Sequence, residues 1–181
     1  MATTLTDLLT WEAFEKIPDD CMHREVLEGE LIVLPPAKSR HSLIVRNTVR
    51  ALRPIDDHSA SVVMFEAGYK LSDNPPTWIQ PDVSVITRQR AAVPALDGYF
   101  HGGPELAIEV ISPSDTARDM NRKIDLLLAS GTLAVWVIYP DDEEVRVFLP
   151  DGTSFAKGIQ GTLNLPMVFG VFEIPVADLF A

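Results

Sequence analysis

The segment LAIEVIS, at residues 106–112, constrains the fold of this chain more than any other part of the sequence. It is almost continuously apolar and rich in β-branched residues, which is typical of a central strand buried on both faces of a sheet. Glu109 stands in the middle of this run, where an ionised carboxylate is costly unless it is paired or binds a metal. Strand alternation places Ala107, Glu109 and Ile111 on one face. The segment therefore predicts a buried strand whose carboxylate needs a specific partner.

The residues after this strand predict the clearest helix of the chain, at residues 114–130. Pro113, Ser114 and Asp115 provide a start, and Gly131 provides a C-terminal stop. Between them the apolar residues that recur at helical spacing are Ala117, Met120, Ile124, Leu127 and Leu128. Strands are expected before this helix in WIQPDVSVI and after it in LAVWVIYP and EVRVFLP. This order predicts an α/β fold of the α+β kind, with a mixed β-sheet core flanked by helices.

Turn-forming residues divide the rest of the chain into short elements. A helix is expected at residues 11–16, and REVLEGELIVLPP predicts an N-terminal β-hairpin that turns at Glu28 and Gly29. A second helix is expected at 41–52, two strands at 61–66 and 68–71, and a final loop before a helical turn at 175–180. At 181 residues and 46% hydrophobic content, the chain is expected to fold as one domain over residues 1–181.

The composition predicts a soluble protein of the cytoplasm. Cys21 is the only cysteine, so no intrachain disulfide can form, and the first residues lack the pattern of a signal peptide. The longest uncharged stretch, residues 126–140, is shorter than the roughly 20 apolar residues that span a bilayer. No membrane segment is therefore expected.

The charge distribution limits which part of this chain can bind nucleic acid. A net charge of −11 opposes non-specific binding, because a negative protein repels phosphate at long range. Residues 38–53 depart from this pattern, since they contain no Asp or Glu and carry the basic residues Lys38, Arg40, Arg46, Arg50 and Arg53. The last three recur at helical spacing opposite the apolar residues. This segment therefore predicts a basic helix face that contacts an anion such as DNA.

Asp82 is a second strand carboxylate, placed just inside the strand predicted for residues 81–86. Two carboxylates on neighbouring strands supply the hard oxygen ligands that Mg²⁺ or Mn²⁺ prefers, with water and substrate phosphate oxygens completing the shell. Asp82 and Glu109 therefore predict a divalent-metal site. The same residues also fit a buried salt bridge at Glu109 and a turn cap at Asp82, and the sequence leaves both interpretations open.

Lys123 is the basic residue that can complete this group. Its neighbours on the helix at i−3 and i+4 are Met120 and Leu127, so it lies at the border of the packed face. From there its ammonium could reach over the sheet edge toward Glu109. An exposed ion pair with Asp119, four residues earlier, is the alternative.

Several short motifs occur in a characteristic order along the chain. They are REVLEGELIVLPP followed by His41, then Pro81-Asp82-Val83, LAIEVISPSD with Glu109, Lys123 in the next helix, VWVIYP, and PVADLF. This series resembles the Uma-two family of restriction-endonuclease-like proteins, a branch of the PD-(D/E)XK nuclease superfamily, and it covers nearly the whole chain. The resemblance implies a restriction-endonuclease-like fold and a Mg²⁺-dependent endonuclease that hydrolyses DNA phosphodiester bonds.

The resemblance also assigns roles to individual residues. Asp82 and Glu109 would bind the metal, with the backbone carbonyl of Val110 as a further ligand, and Lys123 would hold or deprotonate the attacking water. The basic segment at residues 38–53, and not the resemblance, predicts the residues that would contact DNA, which are Arg40, Arg46, Arg50 and Arg53. A homodimer fits the resemblance too, because members of the superfamily often cut both strands as dimers.

Glu30 and His41 take accessory roles in this resemblance, Glu30 as an acid near the metal and His41 as a contact to the phosphate or the water. A hairpin charge and a surface histidine are the alternatives. The chain also departs from the superfamily pattern, because the usual lysine position two residues after the glutamate is Ile111, and Arg24 and Leu127 stand where the family has tyrosines. A lysine from the following helix is the usual substitute in this branch, and Lys123 fills that position. The two lost tyrosines and the acidity of the chain favour a second hypothesis, a catalytically silent nuclease-fold module that binds nucleic acid or a protein partner.

Overall fold

The computed structural model describes residues 8–18, 22–58, 60–93, 98–170 and 172–181. Its helices are α1 (Trp11–Glu15), α2 (Ser39–His58), α3 (Arg88–Ala91), α4 (Ala117–Ala129), α5 (Pro166–Phe169) and α6 (Ala177–Phe180). Its strands are β1 (His23–Leu27), β2 (Glu30–Leu34), β3 (Ser61–Phe65), β4 (Tyr69–Asp73), β5 (Pro76–Ile79), β6 (Val83–Thr87), β7 (Phe100–His101), β8 (Leu106–Val110), β9 (Ala134–Tyr139), β10 (Glu144–Phe148), β11 (Ser154–Gly158), β12 (Thr162–Asn164) and β13 (Glu173–Pro175).

The strand that carries Glu109, β8, lies inside a six-stranded sheet with the order β11-β10-β9-β8-β6-β3. It runs parallel to β9 and antiparallel to β6, so the sheet is mixed. All five residues of β8 are buried. The predicted central strand and the mixed sheet with helices on its faces are therefore confirmed.

Helices cover both faces of this six-stranded sheet. On one face α2 and α6 pack against Leu106, Ile108 and Val110, and on the other face α4 packs against Ala107. Because successive side chains of a strand point to opposite faces, Glu109 is directed toward α4.

The predicted N-terminal hairpin is confirmed, and it belongs to a second sheet with the order β2-β1-β5-β4-β7. β1 and β2 pair antiparallel, with Leu27 opposite Glu30. Glu28 and Gly29 form the turn with φ angles of 50° and 84°, the left-handed conformation that suits a two-residue hairpin. Leu27 and Ile79 of this sheet also pack against α4. α4 therefore lies against both large sheets.

The strand expected at residues 81–86 is present but begins at Val83, so Asp82 lies just before this strand and not inside it, where the sequence had predicted it. The segment WIQPDVSVI is divided into β5, which joins the five-stranded sheet, and β6, which joins the six-stranded sheet. Pro81 lies in the gap, and proline has no amide hydrogen with which to continue a ladder. Asp82 therefore sits where the chain passes from one sheet to the other.

Other boundaries also differ from the sequence-based expectation. α4 begins at Ala117 rather than at residue 114, because the Thr116 side chain accepts a hydrogen bond from the Asp119 amide and caps the helix. The predicted final loop instead contains β11, β12, α5 and β13, whose alternation is too short to register in the sequence. Leu43 of α2 is 52% exposed, so it lies outside the packed face of this helix. Among the described residues, no helix is long and apolar enough to cross a membrane.

We expect Leu127→Ala to lower the free energy of unfolding by about 2–5 kcal/mol, because a fully buried leucine of α4 would be replaced by a cavity. Leu43→Ala on α2 is the matched control, and it should change the value by no more than about 0.5 kcal/mol. Urea unfolding followed by far-UV circular dichroism measures both. Equal effects of the two substitutions would contradict the packing assigned to α4.

Candidate active site

Lys123 lies between two buried carboxylates. Its Nζ is 2.9 Å from Oε1 of Glu25 and 2.9 Å from Oε2 of Glu109. The three side chains are nearly enclosed, with exposures of 8% for Lys123, 3% for Glu25 and 5% for Glu109. The alternative pair between Lys123 and Asp119 does not form, because Asp119 instead accepts a hydrogen bond of 2.6 Å from the Thr116 hydroxyl.

Glu109 keeps one carboxylate oxygen without a partner. Its Oε1 is buried and has no hydrogen bond within the described part of the chain. Burial raises the pKa of Glu109 well above its ordinary value, and the negative charges of Glu25 and Asp82 add to this rise, whereas Lys123 opposes it. The site therefore contains a buried acceptor oxygen without a hydrogen-bond donor among the described residues, in a region where negative charge is in excess.

The ammonium of Lys123 is stabilised by the same arrangement. Burial alone would lower the pKa of Lys123, but the carboxylates of Glu109 and Glu25 outweigh this effect, so its pKa is raised above the ordinary value for lysine. Lys123 therefore carries a positive charge near neutral pH.

Glu25 is the member of this group that the sequence interpretation missed. It lies on β1, is buried, and accepts a hydrogen bond of 2.9 Å from the backbone amide of Gln80. One sequence signal could have identified it, because strand alternation places Glu25 on the same face as the apolar Leu27. The family resemblance instead assigns the acidic residue of this hairpin to Glu30.

Asp82 is held beside the end of β8 by two contacts. Its Oδ2 accepts a hydrogen bond of 2.7 Å from the backbone amide of Val110 and lies 3.2 Å from Nε2 of His41. Val83 pairs with Ile108, so Asp82 lies level with Glu109 on the adjacent segment. The structure therefore brings Asp82 next to Val110, the residue that follows Glu109. That two carboxylates at this point share one cation stays a prediction.

His41 lies in the first turn of α2 and connects this helix to the site. The hydrogen bond to Asp82 raises the pKa of His41 above its ordinary value, although burial opposes the rise. His41 is thus at the site rather than on the free surface.

The remaining predicted site residues lie elsewhere. Glu30 is at the hairpin turn, where its Oε2 accepts a hydrogen bond of 2.7 Å from Arg122, and no contact joins it to Lys123 or Glu109. Arg40 is exposed but pairs with Asp141 at 2.7 Å and donates to the carbonyl of Pro140. The three arginines Arg46, Arg50 and Arg53 are exposed along α2, the helix that also carries His41.

The side chains at this site could bind a divalent cation that retains most of its hydration shell. Across the described ranges, no three or more His, Cys, Asp or Glu side chains form a metal-holding group. Mg²⁺ does not need such a cage, because it is commonly held by one or two carboxylates and retains several waters. Asp82 and the unpartnered Oε1 of Glu109 provide carboxylate oxygens of this kind.

This chain is similar to a known protein family and to a protein of known structure. The family model described as "putative restriction endonuclease" and named Uma2 matches residues 11–177. A crystal structure of "a putative nuclease belonging to DUF820" from Anabaena variabilis superimposes with a TM-score of 0.82. It is 23% identical in sequence, and the match covers 95% of this chain and 97% of the other. The curated proteins include no match.

We expect Lys123→Met to lower the free energy of unfolding at neutral pH by about 3–5 kcal/mol, because it leaves two buried carboxylates without a cation. The variant should regain stability as the pH falls and lose it as the pH rises through the raised pKa of Glu109, since folding then favours the protonated carboxyl. Urea unfolding at about pH 5.5 and pH 8 measures the difference. Arg118→Met, at an exposed position of the same helix, is the control and should be nearly neutral at both pH values.

Proposed function

This chain belongs to the Uma2 family of putative restriction endonucleases, and on that premise we propose that it is a metal-dependent nuclease that hydrolyses DNA phosphodiester bonds. Family membership and the nuclease description of the structural neighbour support the broader statement that the protein is a nuclease. The observation that carries the finer proposal is the buried contact between Lys123 and Glu109 beside Asp82. A carboxylate with a free buried oxygen, a second carboxylate and a fixed ammonium are the groups that phosphodiester hydrolysis uses.

Asp82 and Glu109 would hold the cation, with the backbone carbonyl of Val110 as a further ligand. When bound, Mg²⁺ or Mn²⁺ would supply Lewis-acid stabilisation of the phosphate and activation of a water nucleophile. The rigid position of Glu109 in β8 supports this assignment, because all five residues of that strand are buried. The contact of Asp82 with the Val110 amide orients one carboxylate oxygen and turns the other away from that bond.

Lys123 would act through its charge. Because Glu109 and Glu25 raise its pKa, the ammonium stays protonated near neutral pH and donates hydrogen bonds. It is therefore suited to hold the attacking water and to offset negative charge that develops on the phosphate, and it is poorly suited to remove a proton. Glu25 would fix the orientation of this ammonium through its own contact with Nζ.

The DNA backbone would approach along α2. This helix carries His41 at its first turn, beside Asp82, and exposes Arg46, Arg50 and Arg53 farther along. Exposed arginines on the helix whose first turn reaches the site would attract a negatively charged strand to this part of the protein, in spite of the net charge of −11. Arg40 is expected to contribute less, because Asp141 already neutralises it.

The second candidate function, a silent nuclease-fold module, is favoured by one observation. Lys123 already donates to two carboxylates and is nearly enclosed, so the group also satisfies the description of a structural ion pair. The proposed active site should bind Mn²⁺ through Asp82 and Glu109, whereas a purely binding module need not bind it. Isothermal titration with Mn²⁺ therefore separates the two functions.

We expect Lys123→Ala to reduce Mg²⁺-dependent plasmid cleavage by on the order of 10²-fold or more, while Mn²⁺ affinity remains nearly intact, because one preorganised charge at the phosphate is lost. Asp82→Asn and Glu109→Gln should instead abolish Mn²⁺ binding. Asp119→Asn on the same helix is the control and should cleave at the wild-type rate. Equal cleavage by wild type and Lys123→Ala would remove Lys123 from the mechanism, and no cleavage by the wild type would favour the silent module.

We expect replacement of Arg46, Arg50 and Arg53 by glutamine to weaken DNA binding and to flatten its salt dependence. Each lost phosphate contact should reduce the slope of log affinity against log salt by about 0.9. Fluorescence anisotropy with labelled duplex DNA over a series of NaCl concentrations measures the slope. Lys157→Gln on the exposed edge strand β11 is the control. An unchanged slope in the triple variant would exclude α2 as the DNA-binding face.

A further inference from the structure

Arg122, the neighbour of Lys123 on α4, donates three hydrogen bonds to the turn of the N-terminal hairpin. Its Nε donates to Oε2 of Glu28 at 2.9 Å, its Nη1 donates to Oε2 of Glu30 at 2.7 Å, and its Nη2 donates to the backbone carbonyl of Leu27 at 2.7 Å. These partners surround one turn of the chain and lie more than 90 residues from Arg122 in sequence. A planar guanidinium makes such contacts only in a narrow range of orientations.

Two consecutive residues of α4 thus hold the same strand at different points. Arg122 binds the carbonyl of Leu27, and Lys123 binds the carboxylate of Glu25, two residues earlier on β1. Two residues along a strand span about 7 Å, so the pair of contacts fixes both the position and the direction of β1 relative to the helix. Apolar contacts from Leu27 to α4 leave more freedom, because they have no preferred direction.

The hairpin has other attachments that do not involve α4. The Gly29 amide donates to the carbonyl of Pro76 at 2.7 Å, and Val26 pairs with Trp78 of β5. A chain that lacks the Arg122 contacts therefore keeps its hairpin in the five-stranded sheet. What it loses is the fixed position of that hairpin against α4.

We propose that Arg122 is a positioning residue for the site, which keeps Glu25 against Lys123 and so holds the Lys123 ammonium in its place beside Glu109. This inference rests on the proposed nuclease function for its catalytic consequence only. The placement of Lys123 itself can be measured without cleavage. Glu30, which lies outside the group around Lys123, then acts through Arg122 rather than on the metal.

The test compares three variants, Arg122→Met, Arg122→Lys and the double variant Glu28→Gln/Glu30→Gln. The control is Arg118→Met, because Arg118 is exposed one turn earlier on α4 and makes no hydrogen bond to the described residues of the hairpin. The first readout is the ¹⁵N–¹H NMR signal of the Lys123 ammonium, assigned by its loss in Lys123→Met. The second is the rate of Mg²⁺-dependent plasmid cleavage, separated into kcat and KM for DNA. Urea unfolding shows that each variant is folded.

In Arg122→Met we expect the Lys123 signal to shift or to broaden through faster hydrogen exchange, and kcat to fall roughly 10- to 100-fold with KM nearly unchanged. Arg122→Lys should recover part of both effects, and the double glutamine variant should reproduce them with the arginine in place. An unchanged Lys123 signal in Arg122→Met would overturn the proposal and reduce Arg122 to a surface ion pair. If the wild type does not cleave, the nuclease function fails, and the Lys123 signal still decides the positioning role.

Discussion

One ammonium group, that of Lys123, joins three elements that are far apart in sequence. Glu25 comes from the five-stranded sheet, Glu109 comes from the six-stranded sheet, and Lys123 comes from the helix that packs against both. In a buried environment such charges persist only together, because removal of one partner leaves an uncompensated charge. The relative placement of the two sheets therefore depends on this contact as well as on the apolar packing of α4.

A buried ion pair is weak evidence for a purely stabilising role. Apolar residues of similar volume often fill such a space with equal or greater stability, since they carry no desolvation penalty. Two details connect this group to chemistry, namely the unpartnered Oε1 of Glu109 and the neighbouring carboxylate of Asp82. A polar arrangement that leaves an acceptor unsatisfied is a local departure from the rules of stable cores, and such departures concentrate at functional sites.

The sequence predicted those parts of the fold and site that depend on short-range pattern. The apolar run around Glu109 identified a central strand, and helical spacing identified α4. The same spacing placed Lys123 only at the border of the packed face and left open whether it turns toward Glu109 or toward Asp119. Strand alternation puts Glu25 on the same face as Leu27, but it does not show what covers that face. The burial of Glu25 depends on the packing of the hairpin sheet against α4, a long-range contact that local periodicity does not encode. The division of β5 from β6 was missed for a similar reason, since both halves of that segment have the composition of strands and differ only in their partners.

The passage of the chain between sheets at Pro81 and Asp82 places the two proposed metal ligands in different backbone settings. Glu109 lies within β8, where it pairs with Val137 of β9, and its neighbour Ile108 pairs with Val83 of β6. Asp82 precedes the first residue of β6, and its side chain is oriented by hydrogen bonds to Val110 and His41. The two proposed ligands therefore belong to different parts of the backbone, one within the strand ladder and one in the segment that joins the two sheets. A substitution that shifts one sheet against the other would change the distance between the two carboxylates without altering either residue.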